Sequence, residues 1–201
     1  MKKLTSDFYQ RPQVLRIAKE LLGKLLVTRL NGVETSGRIV EVEAYNGITD
    51  RASHAFGGRR TKRNEVMYAQ GGLSYVYLCY GIHHLFNVVT NTTDTPHAIL
   101  IRAVEPVTGI SAMLRRTGKQ KQDHTLTRGP GNLSKALGIT TALSGQALDS
   151  RELFIADDGY RYTHRAIGTS VRIGVDYAGK DALLPYRFFV KDNPYVSGKI
   201  R

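Results

Sequence analysis

The sequence is poorest in the features that would tie it to an oxidising compartment, a metal or a membrane. Cys79 is the only cysteine, so no internal disulfide can form and a reducing compartment fits. A structural zinc site would have to come almost wholly from six scattered histidines and is not expected. No apolar run approaches the ~20 residues that a spanning helix needs, and no basic amphipathic helix stands out. The opening MKKLTSDFYQ lacks the apolar core of a secretory signal, so the expected location is cytoplasmic. Acidic residues are scarce too. The 17 Asp and Glu face 29 Lys and Arg, a formal charge of +12 that favours a polyanionic partner, with nucleic acid ahead of a membrane surface.

With 201 residues, 41% of them hydrophobic, the chain can bury one proper core, and neither a repeat nor a linker divides it. A single domain over residues 1–201 is therefore expected. Pro12 suits a first helical turn, and Val14, Ala18, Leu21 and Leu22 then share one helical face before Gly23. Residues 24–30 and 33–45 are β-rich runs joined by Asn31 and Gly32, the favoured two-residue hairpin turn. Residues 46–72 read mostly as loop. A second hairpin is expected from 73–80 and 85–91 with Gly81 near its tip, followed by a strand over 98–104, which gives a mainly antiparallel sheet. A helix over 110–116, a polar and mobile stretch over 117–129 and a short helix from Asn132 follow. Late strands at 153–156, 170–175 and 186–190 complete a mixed α/β (α+β) reading.

The chemistry concentrates between Glu41 and Asn87. Glu41 and Glu43 alternate with Val42, so both carboxylates project from one face of their strand. A glutamate pair on a strand is most often a solvated face, and a tyrosine such as Tyr45 beside it is ordinarily packing. His54 alone reads as a hydrogen-bonded loop histidine, and Tyr75 with Tyr77 as one buried face with Val76 and Leu78 on the other. Tyr80 differs, because a large ring beside Gly81 at a hairpin tip has no core to join. Arg51, Arg59, Arg60, Lys62 and Arg63 crowd the adjoining loop, either as a solvated run or as phosphate contacts. GPGNLSK could cradle a phosphate at a helix N-terminus, a weak motif. His83 and His84, being consecutive in a strand, point to opposite faces and make poor joint metal ligands.

Six ordered blocks, EVEAYNGITDRASHAFGGRRTKRN, SYVYLCYGIHHLFN, ILIRAVEP, GPGNLSKALGI, VRIGV and PYRFFV, resemble the 3-methyladenine DNA glycosylase family of the mammalian alkyladenine glycosylase type. The likeness runs from about Leu15 to Ser197. It implies a curved antiparallel sheet with flanking helices, a protruding hairpin that enters the DNA minor groove, and neither metal nor cofactor. Residue by residue, it implies Glu43 as the general base, and Tyr45, His54 and Tyr77 as rings enclosing a flipped base. Tyr80 then fills the gap in the duplex, Asn87 at the pocket floor discourages the guanine 2-amino group, and Arg102 helps to hold the attacking water. The backbone carbonyl near Ile173 completes that water's cage. Ile82, His83 and His84 depart from the mammalian pattern at the hairpin tip. The implied partner is duplex DNA carrying damaged purines, bound by a monomer at the nucleoid of a bacterial cell. Two other classes stay open on residues alone: a non-catalytic nucleic-acid module, and a carbohydrate hydrolase pairing Glu41 with Glu43, which would leave the basic loop unexplained.

Overall fold

The computed structural model describes residues 1–198. Its frame is one curved sheet whose pairings are all antiparallel, β1 (Lys2–Lys3) to β9 (Arg187–Val190). The path runs β1, β7 (Leu153–Asp157), β2 (Leu25–Leu30), β3 (Val33–Tyr45), β6 (His97–Thr108), β5 (His83–Thr90), β4 (Ser74–Cys79), with β8 (Ile167–Ser170) and β9 attached through β3. The helices are α1 (Ser6–Tyr9), α2 (Val14–Leu21), α3 (Ile110–Thr117) and α4 (Pro130–Leu137). α2 and α4 bury Ile17, Leu21, Leu133 and Leu137 in the same cluster as Ile39, Val42 and Ile101 of the sheet. Each such side chain contributes roughly 1.5–3 kcal/mol by leaving water.

β3 organises the molecule. Its first half pairs with β2 through the Asn31–Gly32 turn, where both residues take positive φ, and its last residues pair with β9 instead. Its other edge follows β6, and there the register slips three times, first beside Ser36 and Gly37 and then twice around Glu41. Ile39 pairs with Val104, Glu41 with Ala103 and Val42 with Ile101, so Val40 and Arg102 are each left over. Such bulges re-aim side chains. Ile39 and Val42 consequently face the main core together, while Val40 joins a separate cluster with Ala103 and Phe189.

Several expected elements shift for identifiable reasons. α4 starts at Pro130 rather than Asn132, because a proline needs no N–H partner in a first turn. The strand expected over 170–175 is displaced to Ile167–Ser170; beyond Ser170 the chain leaves the sheet and Arg172 turns inward, fully buried, to pair with Asp50. The stretch over 46–72 is no plain loop but holds three single-turn 3-10 helices, with Ala55, Met67 and Tyr68 packed beneath them. The polar stretch over 117–129 ends in a 3-10 turn that buries Leu126 and Thr127. In β4 Val76 joins the core, yet Leu78 is exposed, since the hairpin runs past the body of the sheet there.

Candidate active site

At the β3–β6 bulge two carboxylates and two guanidinium groups are buried together. Glu41 is no solvated residue. It accepts Arg102 Nε at 2.9 Å, Arg187 Nε at 2.8 Å, Ser197 N at 2.6 Å and Ser197 Oγ at 3.0 Å. Four donors leave it no free direction for another proton. Glu43, equally buried, is less enclosed by charge: its Oε1 accepts the Ile173 amide at 2.7 Å and its Oε2 the Tyr45 hydroxyl at 2.9 Å, with Arg102 Nη1 3.3 Å from Oε1. Burial works against charge on Arg102, but Glu43 and Glu41 raise its pKa above the ordinary arginine value. Its third contact, Nη2 to Ser197 Oγ at 3.1 Å, locks the guanidinium in place.

Tyr45 carries this cluster outward. Its ring lines a cavity shared with His54, Tyr75, Tyr77, Asn87 and Tyr177. Burial, and then the neighbouring Glu43, pushes the Tyr45 hydroxyl well above its usual pKa, so it stays a donor. His54 bonds Tyr75 through Nδ1 at 2.8 Å and meets the Tyr77 ring edge-on, with centroids 4.7 Å apart. A base stacked between two rings needs them roughly 7 Å apart, so His54 and Tyr77 cannot sandwich one as they stand. The slot that remains lies between this pair and Tyr45. Burial, helped by Arg63 and Arg59, lowers the His54 pKa to about 4 and keeps the imidazole neutral. Asn87 pairs with Tyr75 across the hairpin and donates Nδ2 to the Tyr75 and Leu85 carbonyls at 3.1 and 3.3 Å. Its Oδ1 has no partner among the described residues, so Asn87 offers the cavity an acceptor.

The hairpin and the basic loop flank the opening. Tyr80 is 90% exposed and takes φ 51°, followed by Gly81 at 73°, in a turn closed by Ile82 N–H to the Cys79 carbonyl. A bulky residue held in the left-handed region, its ring in solvent, is a strained arrangement that packing does not explain. Arg51, Arg59 and Arg63 line a second, larger basin beside the cavity. Arg60 is different from its neighbours, because Glu65 and Asp94 hold its guanidinium at 2.6 and 2.8 Å. Buried Asn64 knits the loop, donating to the His54 and Arg59 carbonyls and accepting from Thr61.

The structure thus gathers Tyr45, His54, Tyr77 and Asn87 around one cavity, sets Glu43 and Arg102 behind Tyr45, and leaves Tyr80 on the projecting tip. Ile173 also touches Glu43 directly, through its amide N–H, just after the chain has left β8 and before Gly174 at φ 74°. Glu41 and Glu43 do not form a hydrolase pair, since Glu41 is saturated. Sequence reasoning missed Arg187, Ser197, the Arg172–Asp50 pair and Tyr177. Arg172 grips Asp50 at 2.5 and 2.8 Å and the Ala44 carbonyl at 2.9 Å while lying over the Tyr45 ring, which fixes the wall that Tyr45 makes. No local pattern marks these residues, which stand more than 100 positions from the groups they hold.

A family model for methylpurine-DNA glycosylase matches residues 7–194. The chain belongs to that family. It is 43% identical to a protein of Desulfitobacterium hafniense, across 99% of this chain and all of the other, assigned as a 3-methyladenine DNA glycosylase. Proteins given the same assignment in Chlamydia abortus and Bacillus cereus are each 46% identical, over 93% and 96% of this chain and 97% and 98% of their own. These relatives are bacterial, and they carry membership of the family without singling out its mammalian branch. DNA repair by base excision is the family's work, and DNA its partner.

Proposed function

We propose that this protein flips an alkylated or deaminated purine out of duplex DNA and hydrolyses its N-glycosidic bond with water, leaving an abasic site. The observation that carries the reading is Glu43, bonded to Tyr45 at the wall of an aromatic cavity and flanked by Arg102. Breaking the bond between base and deoxyribose develops positive charge on the sugar. A carboxylate there takes the water's proton and also faces that charge. Water oxygen bonds to the sugar carbon as the bond to the base breaks, the electron pair leaves with the base, and the water's proton passes to Glu43. Arg102 helps to position the water, together with the backbone at Ile173.

Alkylated bases such as 3-methyladenine already carry positive charge and depart as neutral molecules. Hypoxanthine and ethenoadenine need hydrogen bonding or a proton as they leave, and are the harder substrates. Flipping costs a few kcal/mol, less for a damaged or mispaired base, and Tyr80 restacks in the vacated space. Asn87, on the cavity wall, excludes guanine by bulk at the 2-amino position. In this reading residues 1–201 work as one domain and as a monomer, in the cytoplasm at a bacterial nucleoid. The test is incubation with duplexes bearing a single hypoxanthine, ethenoadenine or alkylated adenine, followed by alkaline cleavage. Abasic sites that nick only with alkali, and no adduct trapped by borohydride, are expected of a monofunctional enzyme that uses water. Strand nicking without alkali, or a reduced protein–DNA adduct, contradicts the water mechanism.

A further inference from the structure

Two cavities meet at this site, the inner one bounded by Tyr45 and Asn87 and the outer basin bounded by Arg51, Arg59 and Arg63. His54, Tyr75 and Tyr177 line both, so they form the passage between them. His54 and Tyr75 are tied to each other at 2.8 Å, and Tyr75 is buried. Tyr177 is 72% exposed and is held by a single bond of 3.2 Å from its hydroxyl to the Ala52 carbonyl. It stands between Gly174, at φ 74°, and Gly179, at φ 59° and ψ −125°, the second a conformation that side chains other than hydrogen hardly reach. Of the three passage walls it is the one that can yield.

We propose that Tyr177 is a specificity-determining residue: a hinged aromatic wall, latched to the Ala52 carbonyl, that decides how large a base can pass from the outer basin into the cavity. The proposal rests on the reading of this cavity as a purine site and adds to it a size filter. With His54 and Tyr77 in edge contact, no base lies between those two rings, and one with an extra fused ring needs the wall to move further than a plain purine does. A single neutral hydrogen bond is worth roughly two- to tenfold in an equilibrium, so the latch slows admission without closing it.

The test pairs Tyr177→Phe, which keeps the wall and removes the latch, with Tyr177→Ala, which removes both. Capture of an ethenoadenine duplex, followed by stopped-flow fluorescence of the base, is expected to quicken roughly two- to tenfold in Tyr177→Phe. Under single turnover, Tyr177→Ala is expected to raise the ratio of ethenoadenine to hypoxanthine release about tenfold, from better admission of the larger base and poorer packing of the smaller. Capture unchanged in Tyr177→Phe, or a release ratio unchanged in Tyr177→Ala, overturns the proposal. Capture requires no bond cleavage, so it reads Tyr177 even if the parent protein releases no base and the glycosylase reading fails. Thermal unfolding of both variants close to that of the parent is expected from a side chain this exposed, and it separates the filter from loss of fold.

Discussion

His54 shows at the residue scale how burial sets chemistry and stability together. Its folded pKa of about 4 lies below the ~6.5 of an unfolded histidine. As pH falls below ~6.5 the unfolded chain takes up a proton that the folded protein refuses, so stability present above that pH is lost toward pH 4. His97, also lowered by burial, acts in the same direction. The urea midpoint of the parent is expected to fall between about pH 7 and 4.5, and His54→Gln to flatten that fall. Equal slopes would show that the imidazole is not held neutral. At this scale the sequence was legible where chemistry is local: Glu43 and Tyr45 are two residues apart and meet at 2.9 Å. Arg187 and Ser197 were not legible, because their partner Glu41 lies 146 and 156 positions away and no spacing marks such a pair.

Elements place these residues, and β3 does so through its bulges. A period of two read from the sequence puts Glu41 and Glu43 on one face correctly, yet it cannot show that Val40 and Arg102 drop out of register, which is what separates the site from the core. Close packing of β3 on β6 requires Gly37, where a Cβ would lie 2.5 Å from Val104 Cγ2. Gly37→Ala is therefore expected to cost about 1–3 kcal/mol in denaturant unfolding; a neutral substitution would mean that the two strands are not so tightly joined. The second hairpin carries the opposite expectation. Tyr80 touches no core, so Tyr80→Ala leaves the unfolding midpoint in place and lowers the flipped fraction of an ethenoadenine duplex, and unaltered flipping would remove Tyr80 from the wedge role. That hairpin was legible from its alternation and from Gly81. The 3-10 turns of 46–72 were hidden because their stability comes from Asn64 and from packed Met67 and Tyr68, not from a repeating pattern.

Across the whole molecule, a formal charge of +12 makes binding to undamaged duplex fall with salt, at a log–log slope of about −0.9 for each phosphate neutralised. The five basic residues of the loop are not equivalent in this. Arg60 is engaged by Glu65 and Asp94, whereas no ion pair forms on Arg59 among the described residues. Arg59→Ala should flatten the slope by about 0.9 and Arg60→Ala by clearly less; equal effects would contradict that assignment. The central claim is that Glu43, not Glu41, removes the proton from water. Glu43→Gln preserves the size of the side chain and one acceptor oxygen for the Ile173 amide, the Tyr45 hydroxyl can turn to accept from the new amide nitrogen, and Arg102 keeps Glu41 as its ion partner, so the fold and lesion binding are expected to survive. Measured on one hypoxanthine duplex under single turnover, with affinity determined in parallel, base release should drop by ~100- to 10,000-fold at nearly unchanged binding; release within a few-fold of the parent rate would contradict the account.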